Sequence, residues 1–321
     1  QGKDLLDLKN WRPISLSACD LKIITKSLAN RLKPVLPNLL FEHQGAYIPG
    51  RDINFNNRLI RYAKGYANKN NIDSVLVSLD ARKAFDSVSH EYLRKVMEMY
   101  GFPLEFVEMF NLLYSKSESI VQVNGFLSSP FDLKRGVKQG DALSCGLFVL
   151  AIDPLLRNIY GNDSIRGIEI PTSPNDSVLL KVFAFADDVT VICRNHQQDI
   201  QTIFSEYERL TRLSGLTLNA DKTEILNCIQ GAAQITNKVV YLGAEVEIGR
   251  VDCMKVCGMI LAHDEVVEYQ ENIVKRIEIM EGIISSWRMR SITMNGRMIL
   301  AKTFVLSQIV FPAQFIAVQL K

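Results

Sequence analysis

Two adjacent acids, Asp187 and Asp188, interrupt a strongly apolar stretch of this sequence. The flanking segments 178–185 and 189–193 are rich in Val, Leu and Phe, a composition typical of buried β-strands. So short a connection predicts a tight hairpin with both acids at its tip. Asp is a common turn residue, and the pair by itself would indicate only a turn. Flanks this apolar do not suit a solvent-facing turn, however, and they favour a functional position for the acids.

A second acid ends a strand earlier in the chain. Residues 74–80, SVLVSLD, alternate in polarity and predict a buried strand that ends at Asp80. Because this strand and the hairpin belong to one predicted sheet, we expect the three carboxylates to meet at one sheet end. Like charges so close repel each other unless a divalent cation neutralises them, and oxygen ligands without thiolate or imidazole indicate Mg²⁺. The pattern predicts two-metal nucleotidyl transfer, in which one ion activates a 3′ hydroxyl and the other holds the leaving pyrophosphate.

Caps, turn dipeptides and apolar periodicity predict the remaining elements. Helices are expected over 90–100, 103–114, 142–159, 200–213 and 266–319, hairpins about Asn124-Gly125 and over 239–248, and a strand over 216–219. From residue 74 to residue 219 the order is strand, helices, strand, strand, helix, strand. This split βαβ pattern predicts an α+β fold with an antiparallel sheet and helices on one face.

The near-neutral total charge conceals two basic ends. The chain has 37 Lys and Arg against 35 Asp and Glu, which gives a net charge of +2. Residues 3–33 carry seven basic side chains against three acidic ones, and residues 275–302 carry six against two. Such ends suit contacts with nucleic-acid phosphates, and the alternative is a pair of solvated helix faces.

Cysteine use and hydropathy limit the setting of the protein. The six cysteines lie scattered in apolar surroundings without a CxxC pair, which predicts reduced, buried thiols in a cytosolic or nuclear, non-secreted protein. The most apolar stretches, 142–156 and 299–320, are broken by charged residues and proline, and we therefore expect no membrane span. The start QGKDLLDLKN, without Met, looks like part of a longer protein.

Seven motifs in order along the chain resemble those of reverse transcriptases from non-LTR, LINE-type retrotransposons. Five of them are similar to motifs A to E of that family: SLDARKAFD (78–86), RGVKQGDALS (135–144), FADD (185–188), SGLTLNADKTE (214–224) and YLG (241–243). Two more resemble the family's finger motifs: NWRPISL (10–16) and HQGAYIPGRDI (43–53). The resemblance covers nearly the whole chain, and seven ordered motifs are far more specific than FADD alone.

The resemblance implies a right-hand polymerase with a ferredoxin-like palm. Fingers are expected over 1–72, with part of 101–135 shared with the palm, a palm carrying motifs A to E over 73–250, and an incomplete helical thumb over 251–321. One catalytic unit with hand-like subdomains then accounts for all 321 residues.

Roles for individual residues follow from the same resemblance. Asp80, Asp187, Asp188 and the backbone carbonyl of Ala81 match the metal-binding positions. Phe85 matches the gate that excludes a 2′ hydroxyl, or else is a core residue. The remaining matches are nucleotide and template contacts at Gln139 and Gly140, a proton donor to pyrophosphate at Lys222, triphosphate contacts at Arg12 and Lys22, and a primer grip at Tyr241, Leu242 and Gly243.

The resemblance implies an RNA-directed DNA polymerase that extends a DNA 3′ hydroxyl on an RNA template, in target-primed reverse transcription. The expected partners are the RNA template, the DNA primer or target DNA, deoxynucleotides, and further domains of the same polyprotein such as an endonuclease. The expected cofactor is a pair of Mg²⁺ ions, with Mn²⁺ as a substitute, and the expected location is a ribonucleoprotein particle in nucleus and cytoplasm. Two alternatives stay open: a group II intron or retron-type enzyme, and a domesticated reverse-transcriptase fold that only binds RNA.

Overall fold

The computed structural model describes residues 15–317 except 116, 230, 232–236 and 289, so Arg12 lies outside the described residues. The helices are α1 (Cys19–Leu32), α2 (Leu36–Leu39), α3 (Ile53–Lys69), α4 (Ala84–Ser87), α5 (His90–Met99), α6 (Leu104–Tyr114), α7 (Ser144–Gly161), α8 (Gln197–Ser214), α9 (Glu265–Tyr269), α10 (Lys275–Trp287) and α11 (Met294–Leu300). The strands are β1 (Ser74–Leu79), β2 (Glu118–Ser119), β3 (Gln122–Val123), β4 (Phe126–Leu127), β5 (Phe131–Asp132), β6 (Ile168–Ser173), β7 (Asp176–Leu180), β8 (Val182–Phe185), β9 (Asp188–Arg194), β10 (Glu224–Asn227), β11 (Lys238–Tyr241), β12 (Ala244–Glu247), β13 (Gly249–Val251), β14 (Cys253–Val256) and β15 (Met259–Ala262). A 3₁₀ turn covers Ala220–Lys222, and π-helical turns cover Gln270–Val274 and Ala301–Val305.

The centre of the fold is a five-stranded sheet in the order β13-β10-β1-β9-β8. Strand β1 pairs antiparallel with both β9 and β10, β8 pairs antiparallel with β9, and β13 runs parallel to β10. This mixture of a largely antiparallel central sheet with packed helices confirms the α+β class that the sequence predicted.

Both faces of the sheet are covered, whereas the strand order predicted helices on one face only. Val75 and Val77 of β1 point into one hydrophobic cluster, which contains Phe148 of α7 and Phe204 of α8. Leu76, between them, points into a second cluster formed with α3 and the β14–β15 hairpin. The physical reason is the three consecutive apolar residues 75–77 at the centre of the alternating strand, which place apolar side chains on both of its faces, and both faces must therefore be buried.

The predicted strand over 216–219 is wrong, and β10 pairs with β1 instead. In 216–219, the Leu216 carbonyl accepts from the Thr211 hydroxyl at 2.6 Å, and the Leu218 amide donates to the Tyr241 hydroxyl at 3.0 Å. Side chains thus satisfy backbone groups that a strand would pair in a ladder. Only a single bridge joins this segment to the end of β1, between Leu218 and Ala81.

The sequence pattern did not predict two of the hairpins. The predicted strand 178–185 is divided at Lys181, where β7 leaves to pair with β6 and β8 joins the central sheet. The Lys181 ammonium is buried and donates to the carbonyls of Tyr160 and Asn162 at 2.8 and 3.1 Å. Strands β14 and β15 form the second missed hairpin, in a region expected to be helical, and β13 extends the palm sheet across the predicted boundary at residue 250.

Several local predictions are confirmed. Ser89 caps α5 by accepting from the Tyr92 amide, and α6 follows Pro103. The β11–β12 hairpin covers 238–247, one residue earlier than the predicted 239–248. All six cysteines are free thiols, but the expected burial holds for only three of them, since Cys19 is exposed and Cys145 and Cys253 are partly exposed. None of the described helices combines the length and apolarity that crossing a bilayer requires.

Candidate active site

Three acids lie at one end of the central sheet. Strand pairing sets Leu79 of β1 opposite Val189 of β9, and one further step in this register brings Asp80 level with Asp188. Strand β8 closes the next hairpin with Phe185 opposite Asp188, so that Ala186 and Asp187 form a two-residue turn. Asp188 is therefore the first residue of β9 and not part of the tip, while Asp187 alone of the pair lies in the turn. Opposite residues of an antiparallel pair project from the same face, which brings Asp80 and Asp188 together.

Asp80 is oriented by the segment that follows α8. The Asn219 side-chain amide donates to Asp80 Oδ2 at 3.0 Å, and the Asn219 backbone amide donates to the Asp80 carbonyl at 2.8 Å. The Thr223 hydroxyl accepts from the Asp80 amide at 3.4 Å. Sequence patterns did not identify Asn219 as a site residue, although its place just before the Ala220–Lys222 turn is a common capping position.

Lys222 lies where motif D predicted a lysine near the acids. Its ammonium is 4.0 Å from Asp80 Oδ2 and its side chain is more than half exposed. An exposed ion pair of this length contributes little to stability, so the amine is free to move toward a bound substrate.

The turn that carries Asp187 is held by the 43–46 segment. This segment runs beside β8: Gln44 bridges Ala184 in parallel, the Gly45 amide donates to the Ala184 carbonyl at 2.8 Å, and the Ala184 amide donates to the His43 carbonyl at 3.0 Å. The Gln44 side chain then reaches the turn, where its Oε1 accepts from the Ala186 amide at 3.0 Å. The sequence reading did not single out Gln44, and the QG dipeptide within the finger motif was its only signal.

Two phenols border the acids. Burial raises the pKa of Tyr47 to about 12, and a hydrogen bond with Cys145 and the negative charge of Asp187 add to this shift. Burial also raises the pKa of Tyr207, with further contributions from Tyr241 and the carboxylates of Asp80 and Asp187. Both phenols therefore stay protonated at neutral pH and add no negative charge to the sheet end.

Motif B packs against motif A. Phe85 stacks on Phe148 with ring centroids 4.4 Å apart and remains partly exposed. The Gln139 amide donates to Asp86 Oδ1 at 2.9 Å. A Cβ on Gly136, where φ is +86°, would come within 2.8 Å of the Asp86 backbone, so only glycine fits there. Gly140 is exposed with φ at +93°, and a Cβ there would meet nothing closer than 3.7 Å.

The predicted primer grip is divided between core and surface. Tyr241 is buried, and its hydroxyl bonds the Leu218 amide and the Thr211 hydroxyl, so its side chain faces inward. Leu242 and Gly243 form the exposed β11–β12 turn with φ of +53° and +77°. Of the predicted triphosphate contacts, Lys22 lies on the exposed side of α1.

A cavity of about 450 Å³ opens between α1 and the start of α7. Lys26 and Lys33 border it on the side of α1, and Tyr47 and Cys145 border it on the side toward Asp187. The two lysines give the cavity positive charge, which suits a phosphate-bearing ligand.

The donor set fits a hard divalent cation. Asp80, Asp187 and Asp188 offer carboxylate oxygens, which Mg²⁺ prefers to nitrogen or sulfur. Within the described ranges, no group of three His, Cys, Asp or Glu side chains is close enough to hold an ion unaided. Such a set suits an ion that takes few protein ligands and completes its shell with water and substrate phosphates.

Comparison with known proteins identifies the family. The family model described as reverse transcriptase (RNA-dependent DNA polymerase) matches residues 2–246. A Xenopus laevis protein, the transposon TX1 uncharacterized 149 kDa protein, is 29% identical over 317 residues, which are 95% of this chain and 23% of that protein. The Pol polyprotein of retrotransposable element R2 from Popillia japonica is 30% identical over 221 residues, 68% of this chain and 30% of that protein. The R2DM polyprotein of Drosophila melanogaster is 28% identical over 214 residues, 67% of this chain and 19% of that protein.

These relatives confirm the resemblance to non-LTR retrotransposon sequences, and the chain spans less than a third of the length of each. A solved structure of Candida tropicalis telomerase with a fragment of telomeric RNA is similar with a TM-score of 0.47 at 12% identity, over 90% of this chain and 46% of that one. The family model spans the segments that carry Asp80, the Ala186–Asp187 turn, Asn219 and Lys222, and on that match the chain belongs to the reverse transcriptase (RNA-dependent DNA polymerase) family.

Proposed function

We propose that this protein is the RNA-directed DNA polymerase of a LINE-type retroelement, which extends a DNA 3′ hydroxyl on an RNA template. The observation that carries the proposal is the register that sets Asp80 level with Asp188, with Asp187 in the adjoining turn. Carboxylates gathered at the exposed end of an otherwise apolar sheet are costly unless they serve a cation and its substrate.

Members of this family generally use divalent metal ions. We propose two Mg²⁺ ions, replaceable by Mn²⁺, with ligands from Asp80, Asp187, Asp188 and the carbonyl of Ala81. When bound, the ions would neutralise phosphate charge and lower the pKa of the attacking hydroxyl. The chain's own contribution is orientation, because Asn219 fixes one carboxylate and the β8–β9 hairpin fixes the other two.

Lys222 is proposed to donate a proton to the leaving pyrophosphate. Its ammonium lies 4.0 Å from Asp80 Oδ2 on a side chain that is more than half exposed, so it can reach a phosphate held at the same acids. Phe85 is proposed as the sugar gate: stacking on Phe148 holds its ring in place, and its exposed edge would crowd a 2′ hydroxyl. Gln139, which bonds Asp86 beside Phe85 in sequence, and the adjacent Gly140 are proposed to lie against the nucleotide and template.

The nucleic-acid strands are proposed to follow the basic and exposed parts of the chain. Lys26 and Lys33 of the fingers line the 450 Å³ cavity, and Lys22 lies on the exposed side of the same helix. Leu242 with Gly243 offers an exposed turn for the primer. The much greater length of the relatives supports further domains in the same polyprotein, and the similarity to R2 elements fits target-primed synthesis. We further propose that the protein works in a ribonucleoprotein particle of nucleus and cytoplasm.

Primer extension tests the proposal. The purified chain is given a DNA primer on an RNA template with deoxynucleotides and Mg²⁺, beside Asp187→Asn and the matched control Asp132→Asn, which alters an exposed acid of β5. We expect extension by the parent and the control, and none by Asp187→Asn. Equal extension by Asp187→Asn and Asp132→Asn would show that Asp187 is not part of the active site. RNA binding that persists in EDTA without any incorporation would instead indicate an RNA-binding scaffold.

A further inference from the structure

The turn beside the proposed metal ligands depends on a distant side chain. Gln44 is fully buried, and its Oε1 accepts two hydrogen bonds of 3.0 Å, from the amides of Ala46 and Ala186. Ala186 lies 142 residues further along the chain and directly precedes Asp187. One amide oxygen therefore joins the fingers segment to the backbone from which Asp187 projects.

The residues of the turn do not favour its conformation. Ala186 has a φ of +57°, in the left-handed region where an L side chain crowds its own backbone. A turn of this kind ordinarily has glycine or asparagine at such a position. Ala186 is also buried, so its amide needs a partner inside the protein, and the Gln44 side chain is that partner. The hydrogen bond to Gln44, from outside the turn, thus maintains a left-handed conformation at Ala186 that the local sequence does not favour.

The backbone of Gln44 is fixed as firmly as its side chain. The residues on both sides of it pair with Ala184 of β8, and the Asn56 amide donates to the His43 and Ala184 carbonyls at 3.0 and 2.7 Å. A Cβ on Gly45 would come within 3.1 Å of the Asp52 carbonyl, so this segment fits closely. The Gln44 Nε2 is buried without a hydrogen-bond partner among the described residues. Of the two polar atoms of the Gln44 side chain, only the acceptor oxygen therefore makes hydrogen bonds with the described residues.

We propose that Gln44 is a positioning residue for nucleotidyl transfer: by accepting from the Ala186 amide it fixes the direction in which Asp187 leaves the hairpin. The inference rests on the proposed function, because it assigns Asp187 to the metal site. It predicts that loss of one acceptor atom, remote in sequence from the acids, weakens binding of the metal.

Two variants separate the acceptor from the bulk of the side chain. Gln44→Met keeps the length but removes the acceptor, and Gln44→Glu keeps an acceptor oxygen. The matched control is Gln201→Met, because the Gln201 side chain likewise bonds the backbone of a hairpin, through the carbonyl and amide of Val240 at 2.9 and 2.8 Å. All three are compared with the parent by Mn²⁺ binding in electron paramagnetic resonance and by hydrogen exchange of the Ala186 amide.

We expect Gln44→Met to bind Mn²⁺ about tenfold or more weakly, as is usual when a side chain that orients a metal ligand is lost. Its Ala186 amide should also exchange faster than in the parent. Gln44→Glu should stay closer to the parent than Gln44→Met does, and Gln201→Met should leave both readouts unchanged. Parent-like Mn²⁺ binding by Gln44→Met, or equal weakening by Gln201→Met, would overturn the proposal, and so would equal loss in the Glu and Met variants.

Failure of this inference can be told apart from failure of the proposed function. Neither metal binding nor amide exchange requires polymerisation, so both readouts judge Gln44 even if the parent fails to extend a primer. If the parent extends a primer and Gln44→Met does so with the same rate and the same Mg²⁺ dependence, then Gln44 has no positioning role while the polymerase assignment stands.

Discussion

Two of the two-residue hairpin turns of this protein begin with a residue at positive φ, and the conformation has a different cause in each. Asn124 and Gly125 join β3 to β4 with φ of +49° and +85°, and Ala186 and Asp187 join β8 to β9 with φ of +57° at the first position. The first turn is exposed, and a Cβ on Gly125 would meet nothing within 4 Å. The second is buried at Ala186 and tied to Gln44.

The difference shows where the conformation of each turn originates. Asn-Gly is the dipeptide that best supplies two positive φ angles, so the first turn needs no help from the rest of the molecule. Ala-Asp lacks that preference, and its turn exists because the fold supplies a hydrogen-bond acceptor. A site that must place a carboxylate at the tip cannot also place glycine there, and the fold compensates for this conflict between function and local propensity.

Exchange of the two dipeptides should give the largest effect. Ala186→Asn with Asp187→Gly gives the hairpin a favourable local sequence but removes the carboxylate. We expect primer extension to fall by about 10³-fold or more, about 4 kcal/mol of transition-state stabilisation, with the free energy of unfolding within about 1 kcal/mol of the parent. The reverse exchange, Asn124→Ala with Gly125→Asp, should loosen the β3–β4 hairpin and retain most of the extension. Substantial extension by the first variant would contradict a role for Asp187.

Replacement of a glycine packed against backbone should cost more stability than replacement of a glycine in open space. Gly136 and Gly125 have nearly equal φ, +86° and +85°, but only at Gly136 would a Cβ meet the backbone of Asp86. We expect Gly136→Ala to lower the free energy of unfolding by about 3 kcal/mol, because a clash with backbone adds to the φ strain. Gly125→Ala should lower it by about 1 kcal/mol, from φ strain alone. Urea denaturation measures both, and equal losses would mean that the close contact carries no energetic weight.

Removal of the amide that orients Asp80 should have a smaller effect. Asn219→Ala removes the 3.0 Å hydrogen bond to Asp80 Oδ2 but leaves the carboxylate in place. We expect extension about tenfold slower, about 1.4 kcal/mol, with a higher Mg²⁺ requirement. The control is Asn237→Ala, which frees the exposed carboxylate of Glu247 from a bond of equal length and should leave the rate unchanged. The two variants behaving alike would show that Asn219 does not orient the acid.

The smallest effect is expected for Ala186→Gly. Glycine relieves the left-handed strain, by about 1–2 kcal/mol, and loses about 0.5–1 kcal/mol to its greater freedom in the unfolded chain. The free energy of unfolding should therefore change by about 1 kcal/mol or less, as chemical denaturation can measure, because the bond from residue 186 to Gln44 is retained. Loss of several kcal/mol would show that the methyl group, and not the hydrogen bond, holds the turn.

Much of the fold was predictable because it depends on patterns within short segments. The apolar alternation of β1, the cap at Ser89 and the Asn124-Gly125 turn each act over a few residues, and each was predicted. The strand at 216–219 was not, because the hydroxyls of Thr211 and Tyr241 satisfy backbone groups that a strand would have paired. The β14–β15 hairpin was missed because each strand is only four residues long, too short for its alternation to stand out, and its partners in the second cluster are distant in sequence.

The sequence by itself determined the three acids, their places at the ends of apolar strands, and through its ordered motifs the family. Only the tertiary structure decided that Gln44 holds the turn of Asp187, that Asn219 holds Asp80, and that Tyr241 faces the core. The physical reason is the length of chain between the partners. Gln44 and Ala186 are 142 residues apart and Asn219 and Asp80 are 139 apart, and no local pattern records a hydrogen bond that forms only when the sheet brings its partners together.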